Sequence, residues 1–317
     1  VGLIGAAFLG LKAAIVVIVL QALIRLAQKS LKKIEQWFIA ASGFIGIFIF
    51  ALPFPLIIGL SALYGFASTT NKKAFSPSTL ALPKTRDTVI TVSIWICLWW
   101  GPLLALDLIV DASLLAQIGY FFSKLAVVSF GGAYAVLAYM AQDVVGQLNW
   151  LTPAEMMDGL GLAETTPGPL ILVTEFVGFL AGVKIGGLNY GIVGAAVALW
   201  ATFIPCFLWI FAGATYLDWL TQHPRLGGAL ASIMAAVVGV IANLFAWFAL
   251  HLFFHETATL DVNIAQILVP NFASVDLRVT VIAIICGWLA LKRHVGLIWL
   301  LGIAGLAGVL SSMITIA

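Results

Sequence analysis

Residues 2–27 run apolar for longer than the roughly 20 residues a helix needs to cross a bilayer, with Lys12, Gln21 and Arg25 as the polar exceptions. Comparable runs recur to the end of the chain. Hydrocarbon offers no partners to backbone N–H and C=O groups, so such runs must satisfy them internally as helices. With 63% hydrophobic residues, 9% charged and a mean hydropathy of +1.14, the chain reads as an all-α integral membrane protein, a polytopic helical bundle in a lipid bilayer. A net charge of +2 and the lack of basic runs interleaved with aromatics exclude a nucleic-acid partner. Cys97, Cys206 and Cys286 lie in separate apolar segments without a CxxC pair and read as small buried hydrophobes. The chain opens on Val1 with no targeting pattern, so it reads as a piece of a longer protein.

Charges orient the segments. Residues 2–27 end in Arg25, Lys29, Lys32 and Lys33, which the positive-inside rule places in the cytoplasm. Residues 37–66 are too long for one crossing and are cut by Pro53-Phe54-Pro55, predicting a helical hairpin. The loop 71–87, with Lys72, Lys73, Lys84 and Arg86, is again cytoplasmic. Residues 88–110 cross outward, 188–217 return, and 226–254 leave again to an acidic loop with Glu256, Asp261 and Asp276. Residues 280–291 and 295–316 form a last hairpin around Lys292, Arg293 and His294.

An internal repeat shows in this order. Ala13-Ala14-Ile15-Val16 matches Ala235-Ala236-Val237-Val238 at an offset of 222 (235 − 13), and Gln21 falls on Asn243. Each helix precedes a hairpin, and the charges give the two copies opposite directions. That is the inverted-repeat plan of many secondary transporters. Alignment of Ala/Val-rich helices by composition alone is the alternative. The repeat divides the chain into 1–87, the end of a first copy; 88–113, a connecting transmembrane helix; and 114–317, a second copy. A first copy of equal length requires on the order of 100 further residues before Val1.

Two breaks interrupt the second copy: Ser129-Phe130-Gly131-Gly132-Ala133, and Glu164-Thr165-Thr166-Pro167-Gly168-Pro169. Irregular backbone at bilayer depth is tolerated only where it lines a cavity or a ligand. Helices that start there aim free N–H donors and a positive dipole end inward, which suits an anion. The first break predicts a helix over 133–145, with donors at Phe130, Gly131, Gly132, Ala133 and Tyr134. The second predicts a half-helix over 170–183 starting at Pro169, with Thr165 and Thr166 capping it or donating hydroxyls. A plain proline kink is the alternative there. Lys124 either lends charge to the first break or snorkels to the interface. Glu164 and Glu175 are candidates for proton coupling, with polar packing as the alternative for Glu175, and Lys12 faces the same choice. Thr152-Pro153-Ala154-Glu155 is a capping box, and Gly178, Gly182 and Gly186 form a packing stripe. His251 and His255 stand one helical turn apart with Glu256 beside them, a spacing that could hold a metal, but no third ligand is obvious and histidines at the membrane interface explain the pattern, so no metal or cofactor is expected. Phosphate-loop, dinucleotide and nucleophile-elbow motifs are absent from the sequence, which argues against an enzyme.

At these breaks the chain resembles the chromate ion transporter family. The likeness rests on Ser129-Phe130-Gly131-Gly132-Ala133-Tyr134-Ala135-Val136-Leu137, on Trp150-Leu151-Thr152, and on the run from Gly159 through Pro169 to Phe176-Val177-Gly178. Ala138 departs from it, standing where a proline is expected. The resemblance implies a multi-pass transporter of the bacterial inner membrane that exports chromate, with sulfate as its close analogue. A second copy of the chain stands among the candidate partners. A different anion as substrate, or a membrane-embedded enzyme or scaffold subunit, is the alternative. Backbone donors alone do not separate chromate from sulfate.

Overall fold

The computed structural model describes residues 3–69, 85–108, 113–128, 133–165, 170–216, 223–262, 265–293 and 295–316. Its helices are α1 (Leu3–Ser30), α2 (Ile34–Phe48), α3 (Phe54–Ser68), α4 (Thr85–Leu108), α5 (Ser113–Val128), α6 (Ala133–Ala141), α7 (Pro153–Thr165), α8 (Val173–Leu208), α9 (Pro224–Phe253), α10 (Leu277–Leu291) and α11 (Leu297–Ile316). Among the described residues, four helical stretches are long and apolar enough to cross a membrane: Gly5–Ser30, Thr85–Leu108, Val173–Gly213 and Pro224–Phe253. The outer face of α4 displays Val89, Ile90, Ile94, Leu98 and Leu104, an apolar surface that water would not tolerate and lipid covers. The chain is a multi-pass helical membrane protein.

The residues 37–66 divide as expected. Helix α2 stops at Phe48, and the chain turns through Ala51, whose φ of 48° is unusual for a residue with a side chain. Pro53 then precedes α3.

Two compact units share the chain. The first comprises Val1–Ile57, Ala133–Ile171 and Ala235–Ala317. In it α1 packs on α10 and α11. Side chains at Gly10 and Gly308 would meet the backbone of Ala304 and Ala6, so small residues let α1 and α11 touch along their backbones. Likewise α2 lies against the C-terminal part of α9, where Gly239 meets Ala40 and Gly43 meets Ala236. Helix α7 crosses α1 with Gly161 under Ile15, and the rings of Phe54 and Tyr139 stack at 5.2 Å.

This unit also holds two strands, β1 (Thr257–Val262) and β2 (Ala265–Pro270), paired antiparallel from Thr257↔Pro270 to Val262↔Ala265. The sequence reading treats 255–278 as a plain acidic loop. The β-branched residues Thr257, Thr259, Val262, Ile267 and Val269 carry the strand preference that this reading passes over. Asp276 then caps α10, accepting from the N–H groups of Arg278 at 3.0 Å and Val279 at 3.3 Å.

The second unit comprises Ile58–Gly132 and Leu172–Met234. Helix α8 is two arms meeting at Gly187, whose φ of 73° only glycine adopts without strain. The arms fold back on each other. Gly178 meets Gly194 and Gly182 meets Gly191, so the glycine stripe is the seam of this hairpin. Helices α4 and α5 pack on α8, pinned by Trp99 Nε1 donating to Ser123 Oγ at 2.8 Å and Trp200 Nε1 donating to the Leu98 carbonyl at 3.1 Å. At the N-terminal part of α9, Gly228 meets Gly65 of α3 and Thr69 just beyond its end.

Candidate functional site

Both breaks are followed by helix starts. Helix α6 begins at Ala133, and after the second break a 3-10 turn, Leu170–Leu172, leads into α8 at Val173. Their first N–H groups have no partners within the helix. Phe130, Gly131, Gly132, Thr166, Pro167, Gly168 and Pro169 lie outside the described residues. Ala133 opens α6, with Tyr134 half-buried behind it, while Glu164 and Thr165 are the last residues of α7. Lys124 is exposed one turn before the end of α5.

Glu175 stands differently from its expected place in mid-helix. The 3-10 turn delays the start of α8, so Glu175 falls in its first turn and is exposed. A carboxylate there is stabilised by the helix dipole, because the backbone N–H groups at that end carry partial positive charge. Beside it Thr174 is fully buried, and its Oγ1 has no hydrogen-bond partner among the described residues. An orphaned buried hydroxyl costs about 1–3 kcal/mol, which makes Thr174 a better candidate than Glu175 for meeting a ligand at this helix start.

Helix α6 does not end as an α-helix. Gln142–Gln147 form a π turn, and Asn149 follows at a φ of 51°. Such widened turns recur at functional sites. The turn borders a cavity of about 390 Å³ within the first unit, lined by Phe48, Ala51, Ala138, Gln142, Gln147, Asn243, Trp247 and His251 among others. Its polar lining is three carboxamides and an imidazole, with no carboxylate. His251 Nδ1 donates to the Trp247 carbonyl at 2.9 Å, leaving Nε2 as the ring atom available for other bonds. His255 is engaged elsewhere, its Nε2 lying 3.4 Å from Asp276 Oδ2, so the two histidines do not converge.

Three ionisable or polar residues escape the sequence reading. Thr174 is the first. Asp143 is buried on the π turn at 8% exposure, facing the Tyr139 hydroxyl; an acid in an apolar helix is the signal that finds it. The third is Asp158 on α7, whose Oδ1 lies 2.8 Å from Lys12 Nζ of α1. The capping box of α7 forms as expected: Thr152 N donates to Glu155 Oε2 at 2.7 Å, and Glu155 N to Thr152 Oγ1 at 3.3 Å.

Comparison with known proteins bears on what this arrangement serves. A family model described as "Chromate transporter" matches residues 116–309, which include both breaks, the π turn and all of α6 to α10. The "Chromate transport protein" of Pseudomonas aeruginosa is 27% identical over 96% of the chain and 66% of its own length. The protein of the same description from Cupriavidus metallidurans is 33% identical over 42% of the chain and 31% of its own length. A "Probable chromate transport protein" of Synechococcus elongatus is 33% identical over 45% of the chain and 34% of its own length. The chain thus spans under two thirds of the length of these relatives. No solved structure matches it.

Proposed function

The chain belongs to the chromate transporter family, and from that premise we propose that it carries a divalent oxyanion, chromate with sulfate as its analogue, out of the cytoplasm across a bacterial inner membrane as a secondary transporter. The observation that carries the reading is that helical structure begins after each break, with α6 at Ala133 and with the 3-10 turn Leu170–Leu172 that leads into α8. Each start offers unpaired N–H donors to an anion. In this reading the anion meets the backbone at Phe130, Gly131, Gly132, Ala133 and Tyr134, and at Thr165, Thr166, Pro167, Gly168 and Pro169. The Thr174 hydroxyl adds a donor. Lys124 supplies charge near the first break. Glu164 and Glu175 remain candidates for proton coupling. The cavity beside the π turn, lined by neutral donors, suits passage of an anion at the other end of α6.

The division into 1–87, 88–113 and 114–317 has its own support. Helix α1 shifted by 222 residues coincides with α9 within one residue at each end (3 + 222 = 225, 30 + 222 = 252). Helix α2 shifted by 243 coincides with α10 (34 + 243 = 277, 48 + 243 = 291), the extra residues being the β-hairpin and its flanks. The same two offsets relate contacts. Ala6 against Gly308 corresponds to Gly228 against Gly65 (6 + 222 = 228, 65 + 243 = 308), and both are backbone-to-backbone. Composition alone does not pair up contacts in this way, which supports the repeat; its inverted sense, and with it alternating access by rocking, rests on the charge pattern of the loops.

Everted membrane vesicles test the proposal. Vesicles containing the full-length protein should take up labelled chromate faster than vesicles without it, and excess sulfate should compete. Equal uptake overturns the assignment.

A further inference from the structure

We infer that Lys12 and Asp158 form an anion-exchange position: the Lys12 ammonium binds the transported oxyanion, and Asp158 is the resident counter-ion that the oxyanion displaces. The inference rests on the transport reading and deepens it.

Depth comes first. Lys12 precedes Arg25 by 13 residues (25 − 12) of continuous helix, which is about 20 Å along the axis at 1.5 Å per residue. With Arg25 at one interface, that places Lys12 well inside a hydrocarbon core about 30 Å thick. An ammonium there must be paired or wet. It is paired, with its Nζ 2.8 Å from Asp158 Oδ1.

The pair is also partly open. The Lys12 side chain is 16% exposed and that of Asp158 is 36% exposed. A carboxylate one-third open at this depth would be penalised heavily by lipid. An aqueous space beside the open part of Asp158 avoids that cost. Asp158 also stands seven residues, two helical turns, before the end of α7 at Thr165 (165 − 158), where the chain enters the second break.

Finally, the pair is not locked. Buried ion pairs that serve only structure have their remaining valences satisfied by further hydrogen bonds. Here the ammonium and Oδ1 meet at 2.8 Å, and among the described residues no further hydrogen bond holds either side chain. That single contact holds the two together. A tetrahedral dianion brings twice the charge of the carboxylate and several acceptor oxygens to the three N–H donors of an ammonium. It displaces Asp158, whose freed carboxylate turns to the water already beside it.

Binding of radiolabelled sulfate and of chromate to the full-length protein in nanodiscs tests this, with turnover measured in vesicles. D158N frees Lys12 and should tighten oxyanion binding about fivefold while slowing turnover, since nothing then helps the anion leave. K12Q should weaken binding by at least about tenfold. The exchanged pair K12D/D158K keeps the ion pair, and with it the fold, but should transport nothing, because the ammonium then sits on the wrong helix. Restored transport in the exchanged pair, or unchanged affinity in D158N, overturns the inference and leaves only a structural strut. If D158N fails to fold, the exchanged pair decides alone. Wild-type protein that binds neither anion would instead overturn the transport reading, and this inference with it.

Discussion

Thr174 keeps a hydroxyl buried at the start of α8 with no hydrogen-bond partner among the described residues. Valine has nearly the same shape and removes the orphaned group. T174V should therefore hold or raise thermal stability, by up to about 1 kcal/mol, and lower chromate flux about tenfold. Melting curves and vesicle flux on one preparation check both halves. Flux at the wild-type rate would remove Thr174 from the site. The glycines of the breaks invite a complementary change. Gly132→Val or Gly168→Val adds a branched side chain where the anion is proposed to meet backbone, so transport should fall by at least about tenfold while the protein still inserts. Wild-type transport in either variant excludes that glycine. At this scale the sequence was legible where a residue acts locally. The capping box of Thr152 and Glu155 is one case, because both partners lie within one turn. Asp158 was not legible. Its meaning depends on Lys12, 146 residues away (158 − 12), and no local pattern joins them.

Helix packing here depends on a few small residues. A side chain at Gly308 would meet the Ala6 carbonyl, and one at Gly65 the Gly228 carbonyl, whereas Gly302 and Gly59 on the same two helices face open space. Gly308→Val and Gly65→Val should each cost about 1–3 kcal/mol by forcing the helices apart. Gly302→Val and Gly59→Val should leave stability unchanged. Thermal melting in detergent compares the four. Loss of stability in only one of the first pair would weaken the case that the two contacts are equivalent copies. The helix ends show why element boundaries were partly legible. The Pro53 break and the turn at Gly187 fall where proline and glycine chemistry puts them. The π turn at Gln142–Gln147 carries no such marker, since the same side chains suit an ordinary helix and neighbouring elements choose between them.

Orientation in the membrane belongs to the whole molecule. The basic cluster Arg25, Lys29, Lys32 and Lys33 predicts a cytoplasmic α1–α2 connection. The acidic segment with Glu256 and Asp276 predicts a periplasmic β-hairpin. Single cysteines at Lys33 and at Ala258, in a chain with Cys97, Cys206 and Cys286 replaced, should report opposite sides. A membrane-impermeant thiol reagent applied to intact cells should label the cysteine at 258 and spare the one at 33. Labelling of both would place the two segments on one side and remove the inverted repeat.

Membrane class, number of apolar segments, and the position of both breaks follow from the sequence by itself, because bilayer thickness and backbone hydrogen bonding act on consecutive residues. Tertiary structure alone decided which small residues meet: Gly178 with Gly194 across the α8 hairpin, and Ala6 with Gly308 between helices far apart in the chain. It alone also joined Lys12 to Asp158. Glycine stripes and lone charges are legible as features, but their partners are set by which helices come together, and lipid drives every apolar face equally.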